Sequence, residues 1–171
     1  MGVQAALGYR HRTGNPIHRA NRALAGSKPG AWFFSKTIQP LDGLALRLTK
    51  GRTTATETLA GLPVVNVTTT GRKSGQPRTA PLIAVPIGDD LALLGTNFGG
   101  KRTPAWVYNL EADPTATAEY RNVEVAVVAR PATDAEYEQV FETGGSVYGG
   151  YTKYRSRVDG RDIRVFVLET A

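Results

Sequence analysis

From Val64 onward the chain is a succession of short β-type runs separated by tight turn signals, and that spacing leaves few folds open. "PVVNVTTT", "RTAPLIAVPIG", "DLALLGT", "TATAEY", "VEVAVVAR" and "DIRVFVLE" are rich in Val, Ile, Leu and Thr, which suit a pleated, half-buried surface. Gly88-Asp89-Asp90 turns the second run into the third, and Arg121-Asn122 joins the fourth to the fifth as a tight hairpin. Two helical patterns interrupt the runs. In "TPAWVYNLEADP", Thr103 is the expected N-cap, Pro104 fits the first helical position and Pro114 lies past the end; "TDAEYEQVF" opens on a Thr/Asp cap with its acids early, where the helix dipole favours them. About six hairpin-linked strands with two covering helices predict a mainly β fold with flanking helices, a closed or split antiparallel β-barrel.

At 171 residues and 41% hydrophobic content the chain is sized for one domain. The reading divides it into a basic, flexible arm over residues 1–30 and a barrel domain over 31–171, whose lead-in at about 31–50 is an amphipathic helix pair. There Leu41, Leu44, Ala45 and Leu48 form a stripe that either packs on the domain or lies on anionic lipid. The formal charge of +6 is unevenly spread: residues 1–60 hold nine Lys/Arg and two acids, residues 61–171 twelve and thirteen. The globular part is nearly neutral and lacks a basic patch interleaved with aromatics, which argues against a nucleic-acid partner. There is no cysteine, and His11 and His18, the two histidines, lie in the arm. Disulfides, thiolate metal sites and a cysteine nucleophile are excluded, and no histidine dyad or metal site is expected. No apolar run approaches the ~20 residues of a membrane span, so the expected place is the cytoplasm, with peripheral contact at the inner face of the membrane.

The stretch "TTTGRKSGQPRTAPL" sets Arg72, Lys73, Ser74 and Arg78 between apolar runs. Gly71 and Gly75 open backbone angles closed to other residues, and Gln76-Pro77 favours a turn. Such a loop is a seat for an anion or, alternatively, a hairpin with solvated charges. "GTNFGGKR", Gly95 to Arg102, has P-loop spacing as far as Lys101. Arg102 stands where that motif needs Ser or Thr for magnesium, and hairpin topology lacks the parallel strands of such folds. The segment reads better as a second wall of the anion site, with Thr96 and Asn97 as short polar groups and Gly99 and Gly100 allowing close approach. Trp106 and Asn109 lie three apart on the following helix; Trp106 is either an aromatic wall or a core anchor. Tyr148, Tyr151 and Tyr154 recur every three residues beside Gly149 and Gly150, as a lid over a planar ligand or as a cluster closing the barrel mouth.

Taken in order, "TTTGRKSGQPR" followed by "PL", a strand ending in a small polar loop, "PAWVYNLEADP" and the triple-tyrosine segment resemble the deazaflavin-dependent nitroreductase family of actinobacteria. That group uses coenzyme F420 and has a split barrel akin to FMN-binding oxidases; the resemblance covers about Trp32 to Ala171. It implies that Arg72, Lys73 and Ser74 hold the coenzyme's phosphate and acidic tail. It further implies a groove lined by Arg78, Thr79, Ala80, Pro81, Leu82, Ile83 and Ala84, by Leu94, Gly95, Thr96 and Asn97, and by Ala105, Trp106, Val107, Tyr108 and Asn109. Ile83, Thr96, Asn97 and Arg157 depart from the nitroimidazole-reducing member, which has Tyr, Ser, Lys and Trp there.

The implied activity is hydride transfer from reduced F420 to a small-molecule acceptor, a quinone, enone or nitroaromatic, with no metal. The coenzyme carries the chemistry while Tyr148, Tyr151 and Tyr154 shape the acceptor side. Family members with a similar arm act on menaquinone, and a basic amphipathic N-terminus suits an anionic membrane. Two alternatives stay open: a non-catalytic protein binding the deazaflavin or a lipid-like ligand, and an FMN-dependent split-barrel oxidase or reductase.

Overall fold

The computed structural model describes residues 1–10, 62–147, 151, 153, 156, 158 and 161–171. The lead-in at 31–50 and most of the basic arm lie outside the described residues. The elements run α1 (Val3–Leu7), β1 (Val64–Thr70), β2 (Pro77–Ile83), β3 (Val85–Ile87), β4 (Asp90–Leu94), α2 (Ala105–Ala112), β5 (Thr115–Tyr120), β6 (Val123–Pro131), α3 (Asp134–Val147) and β7 (Val165–Thr170), with a 3-10 turn at Asn97–Gly99. All seven strands form one antiparallel sheet in the order β2-β1-β5-β6-β7-β4-β3. The two edge strands are consecutive in the chain and meet at Ala84, so the sheet curls until its edges lie on one continuous stretch. This is the split-barrel form expected from the hairpin spacing.

Period-two alternation divides the strands between two cores. Leu91 and Leu93 of β4 and Phe166 and Leu168 of β7 point into the barrel, beside Val65, Val67 and Val127. Their neighbours Ala92, Leu94, Val165 and Val167 face outward and are covered by Val140, Phe141 and Val147 of α3. Both faces of β4 and β7 are therefore buried, which explains why "DLALL" and "VFVL" read as unbroken apolar runs. In α3, the Thr133 N–H donates to Glu136 Oε2 (2.8 Å) and the Glu136 N–H donates to Thr133 Oγ1 (3.3 Å), a reciprocal cap that confirms the Thr start.

Three expectations are corrected. The first ten residues of the arm are packed and not flexible: Val3, Leu7 and Tyr9 are in the barrel core. Asp90 Oδ1 and Asp89 O accept the Val3 and Gln4 N–H (3.0 and 3.1 Å), supplying from the β3–β4 turn the cap that Gly2 lacks. The run "RTAPLIAVPIG" is two strands that part at Ala84, where Ala84 O and the preceding Ile83 O accept tyrosine hydroxyls, from Tyr9 and Tyr151 respectively, both at 2.8 Å. Thr103 is not the cap of α2. Pro104, extended at ψ 148°, holds that place and the helix starts at Ala105.

Candidate functional site

The β1–β2 connection is a closed loop. The Gly71 N–H donates to Gln76 O (2.9 Å), and the N–H groups of Ser74 and Gly75 return to Gly71 O (3.1 and 2.7 Å). Gly75 takes a φ of +64°, and a Cβ on Gly71 would meet Ser74 Oγ at 2.7 Å, so each glycine is required by a different constraint. Arg72, Lys73, Ser74 and Arg78 are exposed around this loop. Among the described residues none of the three cations has a carboxylate partner.

A buried amide ties the loop to α2. Asn109, 8% exposed, accepts the Arg72 N–H on Oδ1 (3.0 Å) and donates from Nδ2 to the Oγ1 of Thr69 (3.0 Å), itself 2% exposed. From the preceding position on α2, Tyr108 presents its ring beneath the Arg72 guanidinium, 5.1 Å from carbon to centroid. The structure thus brings Arg72, Tyr108 and Asn109 together from segments 36 and 37 positions apart. Unpaired cations over a glycine-bent backbone are the donor set that phosphate and carboxylate oxygens need, and so fit the tail of an anionic coenzyme.

The second wall, residues 95–100, joins β4 to the approach of α2. Asn97 has a φ of +47° and donates from Nδ2 to Arg102 O (2.9 Å); Thr96 is buried. Arg161 holds the whole segment, with NH1 donating to Gly95 O (3.0 Å) and NH2 to Thr96 O (3.1 Å) and Gly100 O (3.0 Å). Burial, and then the neighbouring Arg164, push the Arg161 pKa below its ordinary value. Arg161 and Thr69 were not singled out from the sequence. A cation in a run of cations and one threonine of three carry no mark until their partners are known.

The other expected groove residues divide by burial. Thr79 is exposed and shares a hydrogen bond with Thr68 across the strands (2.8 Å), Ala105 is exposed, and Ala80, Pro81, Leu82 and Ile83 are half-buried along the sheet edge. Ala84, Leu94 and Val107 are core residues, and so is Trp106, which stacks edge-on against Phe166 at 6.2 Å. Their apolar side chains are better placed in the barrel than on a wet wall, so Trp106 is the core anchor and not the aromatic wall. Tyr151, 5% exposed, belongs to the outer core, pressed on Gly144 with its hydroxyl on Ile83 O. That position matches the alternative of a cluster closing the barrel mouth. Tyr148 and Tyr154 lie outside the described residues.

Comparison with known proteins gives the family. Residues 44–170 match the family model of the F420H(2)-dependent quinone reductases, most of the chain. The chain belongs to that family. An F420H(2)-dependent quinone reductase of Mycobacterium tuberculosis is 32% identical over 109 residues, 62% of this chain and 72% of that protein. The solved F420-H2 dependent reductase FDR-A is 31% identical with a TM-score of 0.57, covering 63% of this chain and 94% of that one. A further chain, solved as a domain-swapped dimer, is 27% identical with a TM-score of 0.60 over 83% of this chain and 100% of its own. As a member of the F420H(2)-dependent quinone reductases the protein is an oxidoreductase with F420 as its coenzyme, in a split-barrel fold. No described helix is long and apolar enough to cross a membrane.

Proposed function

We propose that this chain reduces quinones with hydride from reduced F420, seating the coenzyme's anionic tail on the Gly71–Arg78 loop. The observation that carries the reading is the set of exposed cations Arg72, Lys73 and Arg78, without a carboxylate partner among the described residues, on a loop anchored by buried Asn109. When bound, the coenzyme supplies the hydride; the chain's own part is to hold and orient. Arg72 and Lys73 grip phosphate or carboxylate oxygens, Ser74 adds a hydroxyl, and Asn109 keeps the Arg72 backbone in place. Thr79 to Leu82 on the β2 edge and residues 95–97 form the two sides of the ring site. Tyr148 and Tyr154 are the acceptor-side candidates, where a ring can wall the site and a hydroxyl can meet an oxygen that gains charge.

Enones and nitroaromatics are proposed as secondary acceptors that fit the same open site. The basic excess of residues 1–60 is assigned to contact with anionic lipid, where a membrane-dissolved quinone is met. The test mixes the protein with reduced F420 and a panel of naphthoquinones, enones and nitroaromatics and follows coenzyme oxidation. Quinones should give the highest kcat/KM. No quinone-dependent oxidation above the protein-free rate would end this reading.

A further inference from the structure

Arg161 is held at a cost to the fold. Its guanidinium is partly buried, its Nε is buried without a hydrogen-bond partner, and no described carboxylate lies against it. A desolvated cation without a counter-charge opposes folding, and an apolar side chain of similar length could fill the same space. Three of its hydrogen bonds go to the carbonyls of Gly95, Thr96 and Gly100, within one short loop. A weaker one, at 3.4 Å, goes to Asp162 O. The loop has a second cost of its own, since Asn97 is left-handed at a φ of +47°. Its turn is also tight: a Cβ on Gly100 would meet Asn97 O at 3.0 Å. Two unfavourable features in one loop mark a shape that packing alone does not require.

We propose that Arg161 is a positioning residue for the coenzyme ring, acting through the 95–100 loop and not by touching the ring. This rests on the reading of that loop as one side of the ring site. The planar fork collects three carbonyl oxygens that converge from different directions. Their negative ends then point at the guanidinium, which fixes the course of the loop backbone. A lysine has the charge without the fork and cannot reproduce this.

The test uses the full-length chain with Arg161→Ala and Arg161→Lys. Without coenzyme, the amides of residues 96–101 should exchange with solvent about tenfold faster in both variants, with β4 and β7 unchanged. With oxidised F420 added, the affinity should stay within about threefold, because the tail is held by the Gly71–Arg78 loop. The emission of the bound ring should move toward that of the free coenzyme. With reduced F420 and a soluble naphthoquinone, kcat should fall roughly tenfold to a hundredfold. Millimolar guanidinium should restore Arg161→Ala, and Arg161→Lys should stay slow. Unchanged loop exchange, or an unchanged ring spectrum in the variants, overturns the proposal. So does faster exchange spread over β4 and β7 without guanidinium rescue, which would make Arg161 a fold support. A parent protein without quinone turnover would sink the acceptor reading alone; exchange and ring emission would still decide Arg161.

Discussion

Arg130 and Arg161 both cross-link distant segments, yet their partners differ in kind. Arg130 on β6 gives Nε to Glu169 of β7 (2.6 Å) and both terminal nitrogens to Glu136 of α3 (2.7 and 2.6 Å). Its pKa is raised, by Glu136 first and Glu169 second, and Glu136 is lowered from 4.5 to about 2, by Arg130 first and the Thr133 N–H second. Among the described residues Arg161 has only backbone carbonyls as partners, and its pKa moves the other way. A cation saturated with carboxylates ties sheet to helix and supports the fold. One left without them costs stability and is kept where a loop must hold a shape.

The distinction should break first at Arg72 and Lys73, the exposed cations without carboxylates. Replacing both by Ala should weaken oxidised F420 binding by about a hundredfold while unfolding stability moves by less than about 0.5 kcal/mol. Fluorescence titration and urea melts measure the two. An equal loss in both would put these cations with Arg130, as support.

Asn109 sharpens the comparison from the neutral side. Asn109→Leu leaves the Arg72 N–H without its acceptor and Thr69 Oγ1 without its donor, although the Thr69 hydroxyl keeps its own bond to Arg78 O (3.3 Å), and should cost about 1–3 kcal/mol in urea unfolding. Combining it with Thr69→Val should return part of that loss, since two apolar groups then face each other. Coenzyme affinity should stay low in both, because the Arg72 backbone is no longer held. Recovery of affinity in the double variant would show that Asn109 does not position the loop.

At the saturated corner, Glu136→Ala should remove about 1–2 kcal/mol, through the lost cap and ion pair, without altering coenzyme affinity. The sign with pH follows from the lowered pKa. Glu136 contributes fully above pH 4.5, and its contribution fades as pH falls toward and through about 2. Acid unfolding of the parent should therefore show a slope in that window which Glu136→Gln flattens. The smallest effect is expected at the other corner. Arg161→Met should leave stability within about 1 kcal/mol of the parent, since the relief of a desolvated charge offsets the loss of its bonds to the Gly95, Thr96 and Gly100 carbonyls. A loss as large as that of Glu136→Ala would erase the difference between the two arginines.

Local sequence was enough to locate most of the strands, their antiparallel hairpins and the cationic glycine loop. Each depends on residues near one another in the chain: alternation sets faces, Arg121-Asn122 takes the left-handed angles of a tight hairpin, and Gly71 and Gly75 close the anion loop. Motif order was enough to point to the family, because a site built on such loops keeps its local spacing. Only the tertiary structure decided which side chains serve the core and which the site. Trp106, Val107 and Tyr151 belong to motif segments but turn inward, and Val3, Leu7 and Tyr9 come from a stretch that reads as polar and loose. Short helices bury a face only when a partner supplies caps and apolar surface, and for α1 the partner is the β3–β4 turn more than eighty residues on. Arg161 was the least legible. A guanidinium in sequence is one charge among many; that three carbonyls of a distant loop converge on this one, with no described carboxylate beside it, appears only in the folded chain.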